Sequence, residues 1–301
     1  FWLLLIGAVH GALIWYGDIL FQYAIAGFIV LLARSWRPMT LVIVGAILFA
    51  LAAALMAGLG ASLAFAPAEA QAEVRAEMWE PPAAEIARII AAYQGGFISA
   101  TSENFGLWTG FLGYMVFFLP RVIGLMMIGM ALYKWGFFSG NARLWVYVLA
   151  IVAGGLSLIA VAYQAEENAA RGFEFLHMMG AGQLANSALS PFISLLYASV
   201  LVLVVKFGAL KILTDALAAV GRMAFTNYLT QSLIMTTIFY GGRGLGLYGE
   251  VDRIGLWGIV LAIWALQLIW SPLWLSRFKM GPFEWVWRRL SYGRPVAMAK
   301  A

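Results

Sequence analysis

Cysteine is absent from the 301 residues. That excludes disulfides, iron–sulfur clusters and cysteine-ligated zinc. Histidine is nearly absent: His10 and His177 stand alone and far apart, so zinc-ligand spacing is missing. No glycine-rich loop runs into Lys-Ser or Lys-Thr, and no Gly-x-Ser-x-Gly elbow occurs. Phosphate-loop and serine-hydrolase motifs are therefore both lacking. Charge is scarce, at 11% of residues, where a soluble domain carries about 25%. No repeat of a fixed period and no low-complexity linker divides the chain, so it reads as one domain over 1–301.

What fills the space is apolar. Hydrophobic residues make up 63% of the chain. They gather into runs at roughly 1–16, 19–33, 40–65, 105–133, 143–163, 186–205, 223–240 and 255–275. A helix needs about 20 apolar residues to cross a bilayer. The pattern predicts an all-α, polytopic transmembrane helical bundle with about eight spans. Most of the 13 Trp and 12 Tyr sit near the ends of the runs, where interfacial belts form. The fourth run contains Pro120, which predicts a kinked or broken helix. The chain opens "FWLLLIGAVHGALIWYGDIL", inside an apolar run and without an initiator Met, and residues upstream are expected to be missing. A basic leader region with a small-residue cleavage site is not seen there.

Basic residues order the runs. Arg34, Arg37, Lys134, Arg143, Lys206, Lys211, Arg222, Arg277, Lys279, Arg288, Arg289, Arg294 and Lys300 fall on alternate connections and the tail. Those are 13 of the 19 Lys and Arg. The opposite connections hold Arg75, Arg88, Arg171, Arg243 and Arg253 among most of the acids. The positive-inside rule makes the richer side, and both ends of this chain, cytoplasmic. The net charge of +5 follows from this topology and is no sign of nucleic-acid binding. The outer connection 66–103 is long enough for two helices, the second starting after Pro82 with Ile86, Ile89, Ile90 and Tyr93 on one face. It reads as a lid or as a plain solvated connector. In 281–293, Phe283, Val286, Trp287 and Leu290 share a stripe beside Arg288 and Arg289, the pattern of a cytoplasmic interfacial helix. The spacing of Gly106 and Gly110 predicts close helix packing.

Polar groups within the apolar runs are the candidate site. Thr226, Asn227, Thr230 and Gln231 form one stripe on the seventh run. They suit substrate binding, or hydrogen bonds between packed membrane helices worth about 0.6–2 kcal/mol each. Arg121, after Pro120, lies midway along the fourth run, too deep to snorkel over the ~18 Å to the interface. A charge there costs at least about 2.5–3.5 kcal/mol on insertion scales and calls for a partner or a functional role. His10 is a candidate general base or a satisfied interhelical donor. Asp18, in "WYGDIL", is a candidate binding residue or the N-cap of the next helix.

Four stretches carry a resemblance: "GAVHGALIWYGDILFQYAIAGF" (7–28), "RVIGLMMIGMALYKWGFF" (121–138), "GRMAFTNYLTQSLIMTTIFYG" (221–241) and "GPFEWVWRRLSYG" (281–293). In order and spacing the chain resembles the YeiB-type family of bacterial inner-membrane proteins, whose C-terminal part is a domain of unknown function. That family is in turn distantly similar to transmembrane acyltransferases, which move an acyl group from cytosolic acyl-CoA to an acceptor. The usual upstream Leu-Asp-x-Leu-Arg-Gly pattern lies outside this sequence. The resemblance implies the inner membrane as location, membrane lipids as surroundings, acyl-CoA as a co-substrate and no covalently bound cofactor or metal. By position His10 and Arg121 become the catalytic candidates, with Thr226, Asn227, Thr230, Gln231 and Asp18 for substrate. A pocket bordered by the first, fourth and seventh spans would join them. Two other readings stay open: a transporter or flippase-like protein for a small amphiphile, and an accessory subunit of a membrane complex. A homodimer is compatible with any of the three.

Overall fold

A computed structural model describes residues 1–300. Helix makes up 78% of the chain, and no strand occurs among the described residues beyond one isolated bridge, Phe278 to Ala299. The helices in chain order are α1 (Trp2–Leu13), α2 (Leu20–Leu32), α3 (Pro38–Leu63), α4 (Ala68–Met78), α5 (Ala83–Gln94), α6 (Phe97–Lys134), α7 (Leu144–Ala170), α8 (Phe175–Met179), α9 (Leu184–Lys206), α10 (Lys211–Arg222), α11 (Ala224–Phe239), α12 (Arg253–Arg277) and α13 (Pro282–Tyr292). Local chemistry sets several starts. Pro38 and Pro282 occupy the first turns of α3 and α13, where a missing N–H is harmless. The Asp252 carboxylate accepts from Gly255 N–H at 2.7 Å and caps α12.

Five segments are long and apolar enough to cross a membrane: Pro38–Leu63, Phe97–Lys134, Leu144–Ala170, Ala181–Lys206 and Arg253–Arg277. Two further apolar helices, α1 and α2, are shorter. The seventh run folds as the 16-residue α11. The long helices bury little of their apolar surface. On α3, Ile43, Ile47, Leu51, Leu55 and Leu59 form an exposed stripe at four-residue spacing, which is how a helix meets hydrocarbon rather than water. The protein is a membrane protein.

Pro120 does not break its helix. α6 is a single helix of 38 residues that continues through it, although Pro120 has no N–H for the carbonyl four residues earlier. The long connection 66–103 holds α4 and α5, and the tail forms α13. The connection after the sixth run holds α10, whose amphipathic character went unread in the sequence.

The chain divides into two compact units. The first comprises Phe1–Ala24, Ala83–Gly113 and Leu210–Ala301; the second comprises Ile25–Pro82 and Tyr114–Ala209. In the second, Ala26, Val30, Ala33, Leu41, Ile123, Met127 and Ala131 are buried together. Gly45 and Gly124 let α3 and α6 touch: a Cβ on Gly45 would lie 2.6 Å from the Gly124 carbonyl. Gly154 does the same for α7 against Phe192 on α9. The close packing expected at Gly106 and Gly110 is not there, since a Cβ on either would meet nothing within 4 Å. Glycine spacing permits close approach but does not select the neighbour, and in this chain other glycines make the contacts. In the first unit, Tyr93, Ala100 and Tyr240 form one buried cluster and Ala219, Met223 and Leu275 another.

Candidate functional site

The first unit builds its polar centre where α1 ends and the chain turns back into α2. Gly7 is one reason the turn fits. A Cβ there would collide with the backbone nitrogen of Phe21 and lie 2.9 Å from Asp18 Oδ2. Three residues on, His10 occupies the same face of α1 and is 1% exposed. Its Nδ1 lies 2.8 Å from Asp18 Oδ1, and Asp18 is itself buried. Asp18 Oδ2 accepts from Phe21 N–H at 2.8 Å, so the same carboxylate caps the start of α2. The Tyr228 hydroxyl, from α11, donates to Asp18 Oδ1 at 3.2 Å and accepts from Ile19 N–H.

Three donors thus converge on one carboxylate, which suits its ionised, acceptor-only form. The network then places the imidazole proton on Nδ1, leaving Nε2 unprotonated in the neutral ring. Nε2 is buried and has no hydrogen-bond partner among the described residues. The Tyr228 ring packs 5.2 Å from the imidazole, centroid to centroid.

The end of α1 is held as firmly as its middle. Asn104 of α6, fully buried, donates to the Gly11 and Ala12 carbonyls at 2.9 and 3.0 Å and accepts from Tyr16 N–H at 2.8 Å. Arg243 donates to the carbonyls of Leu13 and Ile14 and to Thr101 Oγ1. These are orphan carbonyls of a helix C-terminus, where a cation is favourable. The Arg243 guanidinium also lies over the rings of Phe97 and Tyr240, and burial pulls its pKa below the usual arginine value.

Beyond Tyr228 opens a cavity of about 590 Å³. Trp15 and Tyr16 border it from the turn after α1, Tyr93 from α5, Tyr228, Gln231, Ser232 and Thr236 from α11, and Tyr248 and Leu256 from the segment that follows. Tyr93, Tyr240 and Tyr248 pack together, with Tyr93 and Tyr248 stacked at 4.4 Å. Tyr93 Oη is buried without a hydrogen-bond partner among the described residues. Burial pushes the Tyr93 and Tyr248 phenols above the ordinary tyrosine value. Near the cavity, Gln94 donates to the Tyr248 carbonyl and to Glu250. Arg88 binds Glu85 and Glu103, and its hydrogen bonds draw the Glu85 carboxyl below its usual value.

The stripe on α11 turns to its neighbours. Thr226 donates through N–H and Oγ1 to the buried Glu284 of α13, at 3.0 and 2.5 Å. Asn227 donates to the Val220 carbonyl and Ser271 Oγ, and accepts from Trp270 Nε1–H at 2.8 Å. Thr230 bonds back to the Thr226 and Asn227 carbonyls. Gln231 donates to Gln267 at 2.8 Å and, alone of the four, also borders the cavity. Arg121 belongs to the second unit. It makes one side-chain hydrogen bond, to Ser190 Oγ at 3.1 Å, lies 5.0 Å over the Phe49 ring, and has no carboxylate partner among the described residues. The structure therefore joins His10 with Asp18, and the stripe with α12 and α13. No three His, Asp or Glu side chains cluster as a metal site among the described residues.

Sequence reasoning did not single out Tyr228, Asn104, Glu284, Tyr240 or Tyr248 as site residues, and it read Tyr93 only as part of the apolar face of α5. An interior tyrosine amid "TNYLTQ" was the available signal for Tyr228. The cavity aromatics looked like any interfacial belt.

The family profile for a protein of unknown function, DUF418, matches residues 132–294. The chain belongs to the DUF418 family. Two curated relatives extend the match across nearly all of it. The Bacillus subtilis uncharacterized protein YxaH is 32% identical over 98% of this chain and 71% of its own length. The Escherichia coli uncharacterized protein YeiB is 32% identical over 96% of this chain and 73% of its own length. The YeiB-type resemblance is thereby established. An uncharacterized protein from Bacillus acidopullulyticus is 29% identical over 61% of this chain and 56% of its own length. No solved structure matches this DUF418 chain.

Proposed function

We infer that this DUF418 protein is an acyltransferase of the bacterial inner membrane, with eight crossings, cytoplasmic ends and acyl-CoA as donor. The observation that carries the reading is His10: its Nδ1 is fixed on Asp18 while its Nε2 is buried, accessible to no protein donor and free to take a proton. A histidine held in one tautomer by a carboxylate is a general-base arrangement. The distant resemblance to transmembrane acyltransferases supplies the reaction class. His10 Nε2 takes the proton of an acceptor hydroxyl or amine, and the freed lone pair attacks the thioester carbonyl. The carbon–sulfur bond breaks, and the departing CoA thiolate takes the proton back from the imidazolium. Asp18 holds the ring and stabilises its positive charge in between.

The test is thiol release. Because the chain has no cysteine, a thiol reagent added to the purified protein in vesicles reads only free CoA. Wild-type protein should release CoA from acyl-CoA when acceptor lipids are present, and His10→Gln should slow this by about 10²–10⁴-fold, the usual worth of a general base. Equal rates in the two proteins would remove His10 from the reaction.

A further inference from the structure

His10 borders a second opening, distinct from the aromatic cavity. A groove of about 330 Å³ lies between α1, α11 and α13. Leu5, Val9, Leu229, Leu233 and Leu290 line it with other hydrocarbon and aromatic side chains, and His10 is its one titratable residue. Leu5, Val9, Leu233 and Leu290 are exposed, so the groove opens sideways at the surface of apolar helices rather than into a closed core. It follows α1, a helix about 18 Å long by its twelve residues. Tyr228 stands between the two spaces: it borders the aromatic cavity, and its ring lies against His10.

Such an opening is unlike ordinary lipid-facing surface in one respect. His10, which borders it, has a buried Nε2 with no hydrogen-bond partner among the described residues, and burying an unpaired polar group costs about 1–3 kcal/mol. Packing alone gives no reason to keep it there. A ligand that brings a hydroxyl to Nε2 removes the penalty. The space beyond is apolar, which fits a hydrocarbon chain and nothing charged. The cavity past Tyr228 has tyrosine, serine, threonine and glutamine groups but no charged side chain, which fits an uncharged, hydroxyl-bearing head.

We propose that the acceptor is an uncharged, single-chain amphiphile drawn from the bilayer, its hydrocarbon chain in the α1–α11–α13 groove and its hydroxyl at His10 Nε2. This deepens the acyl-transfer reading and rests on it for the chemistry, but the binding itself stands apart from turnover. The balance is that of the transfer step: the acceptor gains the acyl group on oxygen, and CoA leaves as the thiol.

Binding is tested without catalysis. The full chain in phosphatidylcholine vesicles is irradiated with a monoacylglycerol that carries a diazirine midway along its chain, and labelled peptides are mapped. The expected result is labelling within Trp2–Ile14 and around Leu229–Leu233 that saturates and falls several-fold when unlabelled monoacylglycerol is added. Labelling on the exposed face of α3 should be unaffected, because annular lipid does not saturate. Val9→Trp and Leu233→Trp fill the groove from different helices and should each abolish the saturable fraction. His10→Gln should lose CoA release and should weaken the saturable labelling without abolishing it, because the hydroxyl contact goes while the apolar groove remains. Should α1 label no differently from α3, without saturation in wild-type protein, the groove is plain lipid-facing surface and the proposal fails. Saturable labelling without any CoA release would instead sink the acyl-transfer reading and leave the binding site.

Discussion

Asp18→Asn tests the polar centre most severely, because it changes charge and little else. Three donors meet the Asp18 carboxylate: His10 Nδ1–H, Phe21 N–H and the Tyr228 hydroxyl. An amide offers one oxygen and one NH₂ group. If its oxygen takes the place of Oδ1, the NH₂ faces Phe21 N–H and that bond is lost. The bonds to His10 and Tyr228 then fall from charge-assisted to neutral. Charge-assisted bonds contribute about 1.5–3 kcal/mol and neutral ones about 0.5–1.5. Losing one and weakening two comes to about 3–5 kcal/mol, which the easier burial of a neutral amide reduces to about 2–4. If the amide turns the other way, His10 loses its acceptor and the tautomer is released. The same change in the serine-protease triad lowers turnover about 10⁴-fold. Denaturant unfolding in detergent reads the first quantity and CoA release the second. A variant as stable as wild type and as fast would show that Asp18 neither carries a charge nor orients His10.

Four other outcomes follow from the same contacts. Gly7→Ala should lower stability by more than 1 kcal/mol, since its Cβ meets Phe21 backbone and Asp18 (overpacking costs about 1–3 kcal/mol); an unchanged unfolding midpoint would mean α1 and α2 do not approach there. Tyr147→Phe removes a buried hydrogen bond to the Phe137 carbonyl at 2.7 Å and should cost about 1–2 kcal/mol, whereas Tyr93→Phe removes an unpaired hydroxyl and should cost nothing, by the same unfolding assay. Glu284→Gln should loosen α13 from α11, seen as faster limited proteolysis around Tyr292, because Thr226 loses a carboxylate partner. Burial raises the Tyr93 and Tyr248 phenols, so the folded tyrosine cluster binds these protons more tightly than the unfolded chain. Its stability is then fully present below the ordinary tyrosine value of about 10 and is lost as pH rises beyond it; tyrosinate absorbance should show at least two phenols ionising late, and early ionisation of all twelve tyrosines would contradict the burial.

Much of the fold was legible because its signals are local. Apolar run length marked the long helices, Pro82 and the stripe from Ile86 to Tyr93 marked α5, and Phe283 to Leu290 marked α13. The site was legible only as candidates. His10 and Asp18 each stood out, but the seven residues between them include a helix end and a turn, and no periodicity says that such a turn folds the two side chains together. Asp18 was readable as an N-cap, which it is, and unreadable as the partner of His10. The stripe on α11 had two readings from spacing alone. Its actual bonds run to Ser271, Trp270, Gln267 and Glu284, which lie 36 to 58 residues on in sequence and are brought near only by folding. Tyr93 and Tyr248 look in sequence like membrane-interface aromatics. Their stacking depends on α5 returning to the segment after α11, a tertiary fact.

The central claim is that His10 drives acyl transfer across the membrane, and label transfer in oriented vesicles tests it most directly. Vesicles holding the protein in one known orientation would receive radiolabelled acyl-CoA on one face, with acylated lipid extracted and counted. The account predicts labelled lipid when acyl-CoA is on the face that carries the C-terminal helix α13, none when it is on the other, and loss of the product in His10→Gln with the protein still folded. Labelled product that is as abundant in His10→Gln as in wild type, or product from neither face, would contradict it.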